Sequence, residues 1–385
     1  MFRFLTAGES HGKALTAVVE GVPAGLRLDE EFMAQDLKRR QGGYGRSPRQ
    51  NMERDRAEIL SGVRHGLTIG SPVTLVIWNR DWENWKTEMS VSPVEGDTKR
   101  ITRPRPGHAD LAGVTKYGLD DIRLILERAS ARETAARVAV GAVARRFLEE
   151  FGIEIHSHTL AIGGQWAKVT TPVDWQQVES STVRCADASA EKAMTAMIDE
   201  AVASGDTVGG VSEIVGFGVP VGLGSHIQWD RRLDGKIAQA MLSIQSVKGL
   251  EIGDAFKVAD ERGSQVHDGI EMGGESHYPW QRKSNRAGGI EGGISNGEPI
   301  VLRLAVKPIP TLAKPLPSVD LATGESVQAH FERSDVCVVP AVGVIGEAML
   351  AIVLADAMLE KFGGDSMEET RRNFEGYLKS IGGSH

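Results

Sequence analysis

A run from about Val336 to Leu359 is the most apolar stretch of the chain, and only Glu347 and Asp356 interrupt it with charge. Charged groups in mid-run are costly in lipid, so the segment reads as a buried helix rather than a membrane span. A helix that is apolar on nearly every side must be enclosed by protein. The 385 residues of the chain are enough to enclose it, as one large domain or as two.

Composition narrows the class further. Hydrophobic residues make up 41% and charged residues 25%, ordinary globular values that argue against global disorder. The net charge is −8, from 44 basic and 52 acidic residues, whereas a general nucleic-acid coat is basic overall. The two cysteines, Cys185 and Cys337, are far apart, form no CxxC pair and show no metal-ligand spacing. They point to a reducing compartment and to no metal site. Met1 to Ser10 lacks the basic and apolar regions of a secretory signal. The expectation is a soluble cytoplasmic protein.

The 45 glycines cluster at 42–45, 209–210, 273–274 and 288–293, where backbone is able to approach a ligand closely. Periodicity predicts helices over Asp29–Arg40, Asp120–Phe151, Ala190–Ser204, Leu233–Ile244, Val342–Phe362 and Met367–Ser380. Strand-like runs fall at Phe2–Thr6, Leu15–Glu20, Val73–Trp78, Ile153–Ile162, Val211–Val215 and Ile300–Val306. There is no strict βαβ rhythm and no strand-GxGxxG-helix unit, so mixed α+β is expected and a dinucleotide-binding fold is not. Gly8-Glu9-Ser10-His11 recurs as Gly274-Glu275-Ser276-His277, too short an echo to establish a duplication.

Five stretches carry the residue types of a polyanion site. Gly8 to Lys13 follows the first strand and sets Ser10 and His11 on a tight turn, where imidazole suits proton donation to a leaving group. The alternative is a turn histidine satisfying local backbone. Lys38 to Arg49 crowds Arg40, Arg46 and Arg49 around a glycine hinge, an arrangement suited to phosphate or carboxylate. In Arg103 to Asp110 the prolines stiffen the loop that bears Arg105 and His108, although His108 could simply pair with Asp110. Within Glu127 to Arg137, Arg128 and Arg132 are expected on one helix face, and small residues let another helix or a flat ring pack close; the alternative is an ordinary alanine-rich packing helix with Glu133 paired to Arg137. Late in the chain, Lys307-Pro308-Ile309-Pro310-Thr311 fixes a cation and a hydroxyl on a rigid turn, and Asp335 beside Arg333 is a candidate base or a surface ion pair.

With these five stretches in this order, the sequence closely resembles the chorismate synthase family along essentially its whole length. The most specific matches are GESHGK at 8–13, RRQGGYGR at 39–46, RPGHAD at 105–110, ERASARET at 127–134 and RSD at 333–335. The resemblance implies a single domain over 1–385, a β-α-β sandwich with helices between antiparallel four-stranded sheets, and a homotetramer. It implies anti-1,4-elimination of phosphate from 5-enolpyruvylshikimate 3-phosphate to give chorismate, dependent on reduced FMN but without net redox change. Reduced flavin would lend electron density as the carbon–oxygen bond breaks, and its N5 would help remove the C6 hydrogen.

Carried onto this chain, His11 would protonate the departing phosphate with Ser10 beside it. His108 would stabilise the reduced flavin at its pyrimidine edge, and Asp335 would assist proton removal. Arg40, Arg46, Arg49, Arg105, Arg132 and Arg333 would hold the substrate's phosphate and two carboxylates. The flavin would be held by Arg128, Ala129, Ser130, Gln245, Ser246, Gly292, Lys307, Pro308, Ile309, Pro310, Thr311 and Arg333. If NADPH is the reductant, Arg40 and Arg46 would touch its phosphate. A substrate with three acidic groups needs about this many cations, because an uncompensated buried polyanion is prohibitively costly.

Two other readings make different predictions. A nucleic-acid-binding loop at 38–49 should carry a stacking platform, yet Tyr44 is its one aromatic residue. A flavin oxidoreductase would consume NADPH in step with product, whereas an elimination consumes none once the flavin is reduced.

Overall fold

The computed structural model describes residues 1–47, 55–96, 98, 100–273, 278–332 and 334–382. Arg49, Arg333 and the second copy of the 8–11 echo lie outside the described residues. β1 (Arg3–Ala7) and β2 (Ala14–Glu20) pair antiparallel, Ala7 opposite Thr16. With β3 (Glu58–Ser61) and β4 (Val73–Trp78) they form an antiparallel sheet in the order β1-β2-β4-β3. Alternation decides its faces. Leu15, Ala17 and Val19 of β2 and Val73, Leu75 and Ile77 of β4 are buried, while Leu5, Val18 and Trp78 look outward.

Between β2 and β3 runs α1 (Glu30–Gln41). Asp29 caps it by accepting from the Phe32 N–H at 2.9 Å, and its last turn holds Lys38, Arg39 and Arg40 beside the negative end of the helix dipole. α2 (Asp110–Tyr117), α3 (Arg123–Ala129) and α4 (Thr134–Glu149) follow. The single helix expected from Asp120 to Phe151 is therefore divided. The chain turns extended at Ser130, whose ψ is 141°, and its Oγ accepts from the Arg132 N–H at 3.3 Å to start a short 3₁₀ turn, Ala131–Glu133. A serine hydroxyl offers the backbone this alternative to a continuous helix. One consequence corrects the sequence reading: Arg128 and Arg132 do not share a face.

The second sheet comprises β5 (Glu154–Ile162), β6 (Gln165–Trp166), β7 (Gly210–Phe217), β8 (Val247–Ile252) and β9 (Ile300–Val306). Its order is β8-β9-β7-β5-β6, antiparallel throughout. α5 (Ala188–Ser204), α6 (Leu233–Leu242), α7 (Val339–Phe362) and α8 (Met367–Ile381) complete the main elements. The expected layering is present, with two-residue β6 added at the edge of what would otherwise be a second four-stranded sheet. Observed ends depart from the predicted ones by three residues or fewer for these helices.

α4 packs on β2 and β4, α7 packs on β5 and β7, and the two helices pack on each other between the sheets. Every residue from Val339 to Ala355 is buried, so the most apolar run is the middle of the core. Burying Leu350, Leu354 and Met358 contributes about 1.5–3 kcal/mol each. Glu347, one of the two charges in that run, is satisfied by partners on other elements; Asp356, the other, accepts from the Phe2 N–H at 2.9 Å.

The two helices meet closely at Gly141, where an added Cβ would stand 2.3 Å from the Cβ of Ala348 and 2.6 Å from its Cα. Gly141→Val should push α4 from α7 and destabilise the protein by about 1–3 kcal/mol. A lowered midpoint of urea unfolding checks this, and an unchanged midpoint would mean the layers yield without cost. Both cysteines are buried free thiols, and burial pushes the Cys337 thiol up to about 11.

Candidate active site

Loops from both sheets and the helix layer converge on one cavity of about 650 Å³. The turn after β1 supplies Ser10 and His11, the end of α1 supplies Arg40, and the break between α3 and α4 supplies Ala129, Ser130 and Arg132. Arg105 and His108, the turn after β9, and the approach to α7 with Asp335 complete the polar wall. Ala341, Val342 and Ile345 of α7 provide an apolar floor.

His11 is 8% exposed and held on two sides. Its Nδ1 lies 2.9 and 3.0 Å from the two carboxylate oxygens of Glu127, and the Trp85 ring stacks on it at 3.8 Å between centroids. Ser10 lies alongside, its Oγ 3.3 Å from that of Ser130.

The arginines do not crowd the cavity as bare cations; each is paired with a carboxylate that orients it. Arg132 reaches Asp55 at 2.5 Å and Arg40 reaches the same carboxylate at 3.6 Å. Arg40 also donates to the Thr134 hydroxyl at 2.9 Å and to the Ala131 carbonyl at 3.0 Å. Arg46 pairs with Asp335 at 3.2 Å, and Asp335 accepts from the Ser47 N–H at 2.6 Å. Two cations on Asp55 leave positive charge unspent for an anion.

The Arg105 guanidinium donates twice to Asp110, at 2.8 and 3.0 Å, and once to the Thr311 hydroxyl at 3.1 Å. His108 Nδ1 lies 2.5 Å from Asp110, so the pairing weighed as an alternative is real, and His108 still lines the cavity. Burial pushes the Asp110 carboxyl up, but hydrogen bonds from His108 and Arg105, and their charge, outweigh it and hold the group well below the ordinary carboxylate range. Lys307 donates to the Gly107 carbonyl at 2.9 Å, and burial, with Lys248 nearby, lowers its affinity for a proton.

Other expected residues stand apart from the cavity. Arg128 turns back to donate to the carbonyls of Gly8 and Thr6, both at 3.0 Å, so it braces the turn after β1. Gly292, with φ 59°, sits in the turn between Ile290–Glu291 and Ile294–Ser295 and is not on the cavity wall. Pro308 is likewise absent from the wall, although Lys307, Ile309, Pro310 and Thr311 are present. The Glu133–Arg137 pair of the alternative reading does form, at 2.9 Å.

The basic loop is anchored where it is described. The Tyr44 N–H donates to the Thr182 carbonyl at 2.8 Å, and the Gly45 carbonyl accepts from the Val336 N–H at 2.8 Å. Gly45 has φ 81°, and a Cβ there would lie 2.8 Å from Ile198. Its glycine thus serves a left-handed turn and a close approach. Asp55, Asp81, Trp85, Thr134 and Glu332 were not anticipated, nor was any role for Glu127. Asp81-Trp82-Glu83-Asn84-Trp85, two tryptophans in a chain only 5% aromatic, was the one local signal.

The wall fits a flavin. Among the described residues Gln245 Oε1 is buried with no hydrogen-bond partner, and it is an acceptor suited to an N–H of the kind a flavin ring edge presents. Ala109, Ala129 and Ala131 line the same space with little bulk, as a flat ring requires. Among the described residues no group of His, Cys, Asp or Glu is arranged to hold a metal ion.

A family model described as chorismate synthase matches residues 2–359. A chorismate synthase of Desulforudis audaxviator is 58% identical over 386 residues, covering 99% of this chain and 98% of that protein. One of Geobacter sulfurreducens is 56% identical over 395 residues, covering 99% of each. A solved crystal structure of chorismate synthase superposes with a TM-score of 0.80 at 47% identity, covering 99% of this chain and 98% of that one.

Proposed function

That the chain belongs to the chorismate synthase family, lyases of the shikimate pathway acting on phosphate esters, is the premise from which we propose how its cavity works. The substrate is 5-enolpyruvylshikimate 3-phosphate and the product chorismate. The carbon–oxygen bond to phosphate breaks with its electrons leaving on oxygen, a C6 proton departs, and a new double bond closes the account without net redox change. Reduced FMN, when bound, supplies the electron density that eases this cleavage.

The protein's own groups do the rest. His11 delivers a proton to the departing phosphate oxygen, which leaves far more readily as the protonated species. Arg40 and Arg132, locked by Asp55, hold anionic groups of the substrate, while Arg46, Arg105, Arg49 and Arg333 are assigned to the remaining phosphate and carboxylate oxygens. Asp110 fixes the His108 ring through Nδ1 and leaves Nε2 to contact a ligand. Asp335, oriented by Arg46 and the Ser47 N–H, is the carboxylate that helps take the C6 proton away. Gln245, Ser246, Ala129, Ser130 and the Lys307–Thr311 turn are assigned to the flavin, with Arg128 and Gly292 acting from behind the wall.

The observation that carries this reading is the placement of His11, clamped by Glu127 and Trp85, across one cavity from paired arginines. If NADPH is the reductant it must enter the same cavity, since Arg40, which is buried, and Arg46, which is half-buried, are both on its wall. Residues 1–385 are read as a single domain, supported by a hydrophobic core that runs continuously through both sheets. A homotetramer needs a face that meets another copy, and we assign the outer face of the first sheet, where Leu5 and Trp78 are 73% and 51% exposed among Arg3, Glu20 and Glu58. The two buried thiols agree with a cytoplasmic location.

The test is anaerobic incubation with dithionite-reduced FMN and 5-enolpyruvylshikimate 3-phosphate, following chorismate absorbance and phosphate together. Equal yields that require flavin support the elimination. Folded, FMN-binding protein that releases neither product ends it, and NADPH consumed in step with product would favour an oxidoreductase.

A further inference from the structure

We infer that Glu127 is the positioning residue for His11, setting which ring nitrogen carries the transferable proton. The inference rests on the reading of His11 as the acid and goes beyond it. Glu127 is 2% exposed and is bound to the 8–13 turn at three points. Its carboxylate meets His11 Nδ1 at 2.9 and 3.0 Å and accepts the His11 backbone N–H at 2.8 Å, and its own carbonyl accepts the Ser10 N–H at 3.0 Å. Arg123 Nη1 donates to the same carboxylate at 2.9 Å, and its guanidinium carbon lies 5.2 Å from the centre of the Trp85 ring. Trp85 covers the face of the imidazole and is itself tied to Asp81 through Nε1 at 2.9 Å.

Carboxylate in the plane and indole on the face leave the ring one orientation. A carboxylate at Nδ1 accepts a hydrogen bond and offers none, so Nδ1 keeps its proton and the imidazolium gives up the one on Nε2. In the step, the Nε2–H bond breaks and an O–H bond forms on the departing phosphate. The ring is left neutral, with Nδ1–H still directed at Glu127. Without Glu127, the neutral ring is free to protonate Nε2 and turn Nδ1 toward the cavity.

The direct test uses full-length protein labelled with ¹⁵N-histidine and magic-angle-spinning NMR at a pH where His11 is neutral, with its signals assigned by their loss in His11→Asn. Wild type and Glu127→Gln, whose amide oxygen can still accept, should show His11 protonated on Nδ1. Glu127→Ala should shift it to the Nε2-protonated form favoured by histidine in water. With reduced FMN and substrate, Glu127→Ala should lower kcat by about 10–100-fold, the range for losing the partner of a metal-bound imidazole, with substrate Kd unchanged, and Glu127→Gln, which keeps the tautomer, should recover part of that loss. A wild-type ring protonated on Nε2, or a Glu127→Ala ring still protonated on Nδ1, overturns the assignment; if Glu127→Ala does not fold, the wild-type spectrum decides. Full turnover by His11→Asn would instead remove the acid role while leaving the tautomer result standing.

Discussion

Substituting His11 by Asn is expected to slow phosphate release by about 10²–10⁴-fold, the usual contribution of a general acid, while reduced FMN still binds. At about 1.36 kcal/mol per decade the loss is about 2.7–5.4 kcal/mol of transition-state stabilisation. The size follows from the leaving group: phosphate departs with charge building on an oxygen that a proton neutralises directly. Arginines can screen that charge, but they do not give up protons near neutral pH. Asn fits the space beneath Trp85 and keeps the backbone N–H that Glu127 accepts at 2.8 Å, so the turn should hold its shape. Rapid-quench measurement of phosphate at saturating substrate separates the outcomes. A loss confined to KM would make His11 a binding group, and a change under about threefold would remove it from the chemistry.

The largest stability effect is expected from Arg39→Ala, at about 3–5 kcal/mol, the cost of leaving a buried charge without its partner. Glu347 is 2% exposed in the middle of α7, and Arg39 grips it with two nitrogens, at 2.6 and 2.9 Å. The Ser157 hydroxyl donates at 2.6 Å, and Arg184 stands farther off at 3.4 Å. Burial alone would push the Glu347 carboxyl up; the charges of Arg39 and Arg184 and the hydrogen bonds from Arg39 and Ser157 outweigh it and hold the group below its ordinary 4.5. A carboxyl lowered in the folded state stabilises above its unfolded value and loses that contribution as pH falls through the folded value. Wild type should therefore lose this stability below about pH 4.5, and Arg39→Ala should have less of it to lose. Urea titrations at pH 7 and pH 4 measure both effects. Replacing Arg39 and Glu347 together by Met should recover most of the loss, and failure to recover would show that the pair does more than neutralise itself.

How far the sequence could be read depends on the range over which each signal acts. Val73–Trp78 and Ile300–Val306 were legible to the residue, because alternation over six or seven positions is a local property. The break at Ser130 was not, since Ala, Ser, Ala, Arg and Glu all tolerate a helix and only the contact with Ser10 and the turn it starts distinguish the position. Arg40, Arg46, Arg105, Arg132 and His11 announced themselves as cations and imidazole in dense motifs. Asp55 and Trp85 did not, because an aspartate becomes the clasp of two arginines, and a tryptophan the cover of a histidine, only when segments some 75 residues apart meet. Arg128 shows the converse: a conspicuous residue in a conspicuous motif, spent on holding backbone carbonyls.

The placement of α7 has a consequence for how the protein is made. It is the element against which both α4 and the second sheet complete their packing, yet it begins at Val339 of a 385-residue chain. During synthesis the first sheet and α4 leave the ribosome long before their partner exists, with the close approach of Gly141 to Ala348 not yet available. The nascent chain must carry this apolar seam until α7 has been made, and the layers can close only when that helix arrives between them. A protein built around α7 in this way depends on whatever shields its earlier segments, and a chain truncated before α7 lacks the helix that joins its layers.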